Sequence, residues 1–113
     1  MAGILLLALL SARPFHYVPL EGMAETRHTH VETCGPVVYV RHQLDGDWHI
    51  TLDNGKARVV LEIIPECPLV PPLKGQTIRA KGISRFDREH GFVEIHPLLV
   101  WWQVTSCAER TGA

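Results

Sequence analysis

The sequence predicts an all-β protein, a five-stranded Greek-key barrel preceded by an N-terminal arm or short helix. Three observations carry that expectation. Five stretches of strand-forming character follow one another between His28 and Val104. Glycine-bearing turns separate several of them: Asp45-Gly46, Asn54-Gly55 and His90-Gly91. The first and fourth stretches also carry an internal glycine, Gly35 and Gly82, where a strand of a small closed barrel has to bend. A small open sandwich is the competing all-β arrangement.

The strands can be taken in order. His28-Thr29-His30-Val31-Glu32-Thr33-Cys34-Gly35-Pro36-Val37-Val38-Tyr39-Val40 is β-branched and interrupted by Gly35-Pro36. Proline cannot donate to a ladder, so the pair marks a bulge or bend that lets one long strand serve both halves of a barrel. After the Asp45-Gly46 turn, Trp48, Ile50 and Leu52 alternate with His49 and Thr51, the period of a half-buried strand. Asn54-Gly55 then turns the chain into a third strand, 57–65, apolar on both faces apart from Glu62. Residues 65–75 hold four prolines and one glycine and predict a loop or a single turn, with neither strand nor long helix. The fourth strand, 77–84, sets Ile78 and Ala80 against Arg79 and Lys81, and the fifth runs from Phe92 to Val104 after the turn 86–91.

A chain of 113 residues is one domain with one core. Three segments follow: 1–27, an apolar segment and lead-in arm; 28–105, the barrel; 106–113, a small polar tail expected to fray. The run Ile4 to Leu10 has the character of a signal-peptide core, with Ser11-Ala12 behind it, yet no Lys or Arg precedes it. The alternative is a short helix packed on the domain and ended by Arg13-Pro14; the run is too short to cross a bilayer as a helix. Location is therefore open between cytoplasmic and exported, and no residue pattern fixes the oligomeric state. Three cysteines without a CxxC spacing fit either reduced core thiols, the preferred reading, or one disulfide with a leftover, in which case Cys34 and Cys107 pair. A composition of 46% hydrophobic and 20% charged residues excludes global disorder. A formal charge of −1 excludes the overall basic excess of a dedicated nucleic-acid binder, so any such role must rest on a local patch.

Two strands also carry a resemblance. Gly75-Gln76-Thr77-Ile78-Arg79-Ala80-Lys81-Gly82 followed by His90-Gly91-Phe92-Val93-Glu94-Ile95-His96-Pro97 resembles a group of small, largely uncharacterised bacterial domains of the oligonucleotide/oligosaccharide-binding (OB) fold. Their hallmark is an H-G-(aromatic)-x-E-(I/L)-H-P last strand, with Phe92 here where tryptophan is more usual. The similarity covers roughly residues 29 to 104. It implies the OB fold, and, because several relatives sit in exported proteins, it leans the N-terminal run towards a signal or anchor.

Candidate functional residues fall into two sets. Lys74, Arg79, Lys81, Arg85 and Arg88 form a basic stretch opposed within it only by Asp87. The usual OB ligand face, on the second and third strands, brings in Tyr39, Trp48, His49 and Arg58. Phosphates need cations along a groove and bases need rings to stack on. Arg58, Arg79, Lys81 and Arg85 are thus expected at phosphates, with an exposed ring for stacking from among Tyr39, Trp48, Phe86, Phe92, Trp101 and Trp102. Trp48, in step with Ile50 and Leu52, reads better as core, and the adjacent Trp101 and Trp102 must face opposite ways. The second set is His90, Glu94 and His96, with Asp87 near: weak metal candidates, since no zinc-type spacing is present, and better read as a polar latch on the last strand. No phosphate-cradling loop, dinucleotide fingerprint or nucleophilic triad occurs, so no catalytic residue and no cofactor are expected. The leading expectation is a non-enzymatic module for single-stranded DNA or RNA. Behind it stand an exported accessory domain for a protein or glycan partner and, less favoured, a metal-supported site, with metal-dependent hydrolysis the remote enzymatic version.

Overall fold

The computed structural model describes residues 14–108. Six strands form one closed sheet: β1 (His16–Tyr17), β2 (His30–His42), β3 (Trp48–Asp53), β4 (Arg58–Ile63), β5 (Thr77–Asp87) and β6 (Phe92–Gln103). Their order is β1-β2-β3-β4-β6-β5, and β5 pairs back onto β2. The five long strands are the expected Greek-key barrel, with the OB order, and β1 is a short addition at its rim.

β2 shows why the first strand must be long and bent. Its first half, His30 to Pro36, pairs with β5, and its second half, Val37 to His42, pairs with β3. The exchange happens at Gly35-Pro36-Val37, with a register shift between Val37 and Tyr39. A Cβ on Gly35 would lie 2.7 Å from Leu20 Cδ1, so the bend is packed as well as flexible. The barrel closes between β4 and β6 through a parallel contact of only two residue pairs, Val60 with Glu94 and Leu61 with Ile95. The connection 64–76 is a loop without helix.

The core consists of alternate residues of every long strand, among them Val31, Ile50, Leu52, Leu61, Ile78, Ile95 and Leu98. The arm is fixed in place: β1 runs parallel to β2, and a 3₁₀ segment, Leu20–Glu25, buries Leu20 and Met23 in one end of the barrel. The N-terminal apolar run lies outside the described residues. Among the described residues no helix is long and apolar enough to cross a membrane.

The cysteines settle against the preferred reading of three reduced thiols. Cys34 and Cys107 form a disulfide with Cα atoms 5.6 Å apart, and Cys67 is free. The two come together although β2 neighbours β5 rather than β6. After β6 the chain crosses the end of β5, with Val104 N–H donating to the Thr77 carbonyl, and reaches β2. Residues 106 and 107, at the start of the tail expected to fray, are thereby tied down, and 109–113 lie outside the described residues.

Candidate functional site

Strand alternation places one set of side chains on the outer face of β2, β3, β4 and β6. Ile50 and Leu52 point into the core, so His49, Thr51 and Asp53 point out. Pairing sets Tyr39 opposite Thr51 and Arg41 opposite His49 on β2. On β4 it sets Glu62 opposite His49, Val60 opposite Thr51 and Arg58 opposite Asp53. Glu94 of β6 pairs with Val60 on one side and with Arg85 of β5 on the other. The face thus carries the level Arg41–His49–Glu62 and, beside it, the level Tyr39–Thr51–Val60–Glu94–Arg85.

At its centre lies a buried acid pair. Glu62 is 5% exposed and Glu94 3%, although both belong to the outer face. Glu94 accepts from Arg85 Nε at 2.7 Å, while the Arg85 side chain stays 52% exposed. Glu62 Oε1 lies 2.9 Å from His49 Nε2. Burial first, and then the hydrogen bond and repulsion of Glu94, push the Glu62 carboxyl far above the usual carboxylate range, to about 8. Its Oε2 is buried and meets no donor. Glu62 therefore carries a proton at neutral pH, which removes one negative charge from the face.

The remaining predicted residues divide. Tyr39 is 49% exposed on this face, with Arg41 exposed two residues on. Trp48 packs against the core at one barrel mouth and is capped by the His42 ring, stacked at 4.3 Å. Arg58 pairs with Asp53 at 3.0 Å across the Asn54-Gly55 turn. Gly55 N–H, and then Arg58, hold the Asp53 carboxyl below its usual range. Arg79 and Lys81 share an outer face, but on the far flank, and the arm covers it. Arg79 is 7% exposed, bound to Glu32 at 2.6 Å, with its guanidinium 4.7 Å from the centre of the Tyr17 ring. Lys81 Nζ lies 3.9 Å from Glu32, with the Phe15 and Trp102 rings 5.7 and 5.5 Å away. The expected continuous basic stripe is therefore two separate groups, and only Arg85 of β5 joins the face of Tyr39.

His90, Glu94 and His96 do not converge. His90 sits at the exposed β5–β6 hairpin, where its Nδ1 meets Asp87 Oδ2 at 2.8 Å; that bond lowers Asp87 and raises His90 from their ordinary values. His96 belongs instead with Glu62 and with Asp47 of the β2–β3 turn. The hairpin also presents Phe86 and Phe92, beside a cleft of about 180 Å³ that Leu20, Met23 and Arg58 help to line. Sequence reading missed Arg41, Asp47 and Glu62. Arg41 was marked only by standing two residues from Tyr39, and Glu62 only by being the single acid in an apolar strand.

No known protein family matches the sequence, and no curated protein matches it either. Solved structures do match in shape. The hypothetical protein YgiW from E. coli aligns with TM-score 0.58 at 16% identity over 79% of this chain and 90% of its own. The Stn1–Ten1 complex of S. pombe aligns with TM-score 0.59 at 15% identity over 83% of this chain and 80% of the matched chain. The telomere capping protein Ten1 of S. pombe aligns with TM-score 0.60 at 16% identity over 83% of this chain and 85% of its own. At such identities the likeness is one of fold, and it agrees with the OB barrel read from the strand order.

Proposed function

We propose that the protein is a non-enzymatic OB-fold module that binds single-stranded nucleic acid across the outer face of β2–β3–β4. The observation that carries this reading is the exposed Tyr39 ring with exposed Arg41 beside it, on the strands that OB barrels use for ligands. The ring offers a stacking platform, and Arg41 with the exposed edge of Arg85 offers phosphate contacts. Protonation of Glu62 and the pairing of Glu94 with Arg85 keep the centre of the face from repelling a polyanion. Two of the structural neighbours are described as the telomere capping protein Ten1 and as the Stn1–Ten1 complex, and a telomeric role for barrels of this shape is in keeping with the reading. The test is fluorescence anisotropy of a labelled oligonucleotide of about 15 residues at low and moderate salt. Binding that weakens as salt rises and falls about fivefold to a hundredfold in Tyr39→Ala is the expected result. No binding at low salt removes the proposal.

One observation favours a second reading. A disulfide such as Cys34–Cys107 belongs to oxidising compartments, which suits an exported domain whose partner is a protein or glycan. Fractionation of the native host decides it: recovery in the reducing cytoplasm with both thiols free rules it out.

A further inference from the structure

We propose that Asp47, Glu62 and His96 form a binding site for one divalent transition-metal ion of the zinc class. The three offer ligand atoms that all lie within 4.8 Å of one another, from the β2–β3 turn, β4 and β6. Two carboxylates and an imidazole form a borderline donor set that suits Zn²⁺ better than Mg²⁺ or Ca²⁺, which favour oxygen alone. With metal–ligand bonds of about 2.1 Å, tetrahedral ligands stand about 3.4 Å apart, so side-chain rotation of roughly an ångström completes the site.

A second observation points to a cation independently of that grouping. The Glu62 side chain is 7% exposed, and Oε1 is taken by His49 Nε2 at 2.9 Å. That leaves Oε2 buried with no hydrogen-bond partner among the described residues. Buried acceptors are normally satisfied, and a cation held jointly with Asp47 and His96 would satisfy this one in place of a proton. The neighbouring groups are arranged as supports: His49 fixes the orientation of Glu62, and Arg85 holds Glu94 at 2.7 Å beside it. The ligands also arise from three elements joined at the barrel seam, where β4 and β6 share only two residue pairs. An ion there would cross-link the weakest closure of the sheet. The second acid–histidine group, Asp87, Glu89 and His90, lacks these features: it lies on one exposed turn, with His90 already bonded to Asp87. The inference stands whether or not the face binds nucleic acid.

Calorimetric titration of the chelator-treated full chain with ZnCl₂, paralleled by CoCl₂ and its visible absorption, tests it. The expected result is one ion per chain with a tetrahedral Co²⁺ spectrum. Asp47→Asn and His96→Ala each abolish both signals, and His49→Ala weakens binding about tenfold to a hundredfold. His90→Ala leaves both unchanged. Asp47 lies in a turn, so Asp47→Asn reports on the site should His96→Ala fail to fold. Absence of stoichiometric binding overturns the proposal and assigns Glu62 Oε2 to a proton alone. Binding that survives Asp47→Asn but is lost in His90→Ala overturns it equally.

Discussion

Glu62 is the residue on which most of the outer face depends. Its carboxyl is raised from 4.5 to about 8, so between those values the folded chain holds a proton that the unfolded chain has released. Stability then falls as pH rises through that window: it is fully present below the unfolded value and lost above the folded one. In the presence of a chelator, denaturant unfolding at about pH 5 and about pH 9 should differ by on the order of 2 kcal/mol, and Glu62→Gln should flatten the difference. An unchanged slope in that variant would place the titration elsewhere. Individual residues were the least legible level of the sequence. Arg79 reads as an outward cation, and its position on the outer face follows from strand period alone. Its burial under Tyr17 depends on an arm about sixty residues earlier, and its bond to Glu32 on the pairing of β2 with β5, neither of which a local pattern announces. Asp47, Glu62 and His96 are likewise brought together only by barrel closure.

The elements were far easier to read, because their punctuation is chemical. Asp45-Gly46 and Asn54-Gly55 each place glycine at positive φ, 95° and 88°, as hairpin turns demand. Gly82 has a different task. A Cβ there would lie 2.6 Å from the Pro97 carbonyl oxygen and 3.2 Å from Leu98 Cα, where β5 and β6 shift register. Backbone cannot give way as a side chain can, so Gly82→Ala should destabilise the protein by about 1–3 kcal/mol. At Gly55 nothing lies within 4 Å of a new Cβ, so Gly55→Ala costs only the positive-φ strain, about 1–2 kcal/mol. The two separate by their neighbours: the Cβ of Gly82→Ala meets backbone and Ile95 Cγ2 while that of Gly55→Ala meets open space, so melting curves should show the larger loss for Gly82→Ala. Proline told equally plainly against a helix between β4 and β5. What punctuation could not convey is the role of the His90-to-Pro97 motif. Its histidines part company at the hairpin, and only Glu94 reads as the expected latch, clamped to Arg85.

At the scale of the whole molecule, the barrel is held by straps at both of its sequence ends. The arm inserts Leu20 and Met23 into the core, and the C-terminal segment returns through Cys107 to the first long strand. The sequence named this pair only as the less favoured reading, because an odd cysteine count and absent spacing motifs leave free thiols open, and the pairing depends on a chain crossing β5 that the folded barrel defines. The bond joins residues 73 apart, and so encloses nearly the whole barrel. Restricting so long a loop in the unfolded chain is worth about 4 kcal/mol in the chain-entropy account, with engineered and native cases spanning roughly 2–5. Replacing both cysteines, Cys34→Ser with Cys107→Ser, should therefore lower the melting temperature by about 10–30 °C, and a reductant should lower the native protein to the same value. Alkylation of the unfolded, unreduced chain should label Cys67 alone, as the mass gain would show. Three labelled cysteines, with a melting temperature indifferent to reductant, would mean that the arm and the core hold the barrel unaided and that the thiols are reduced.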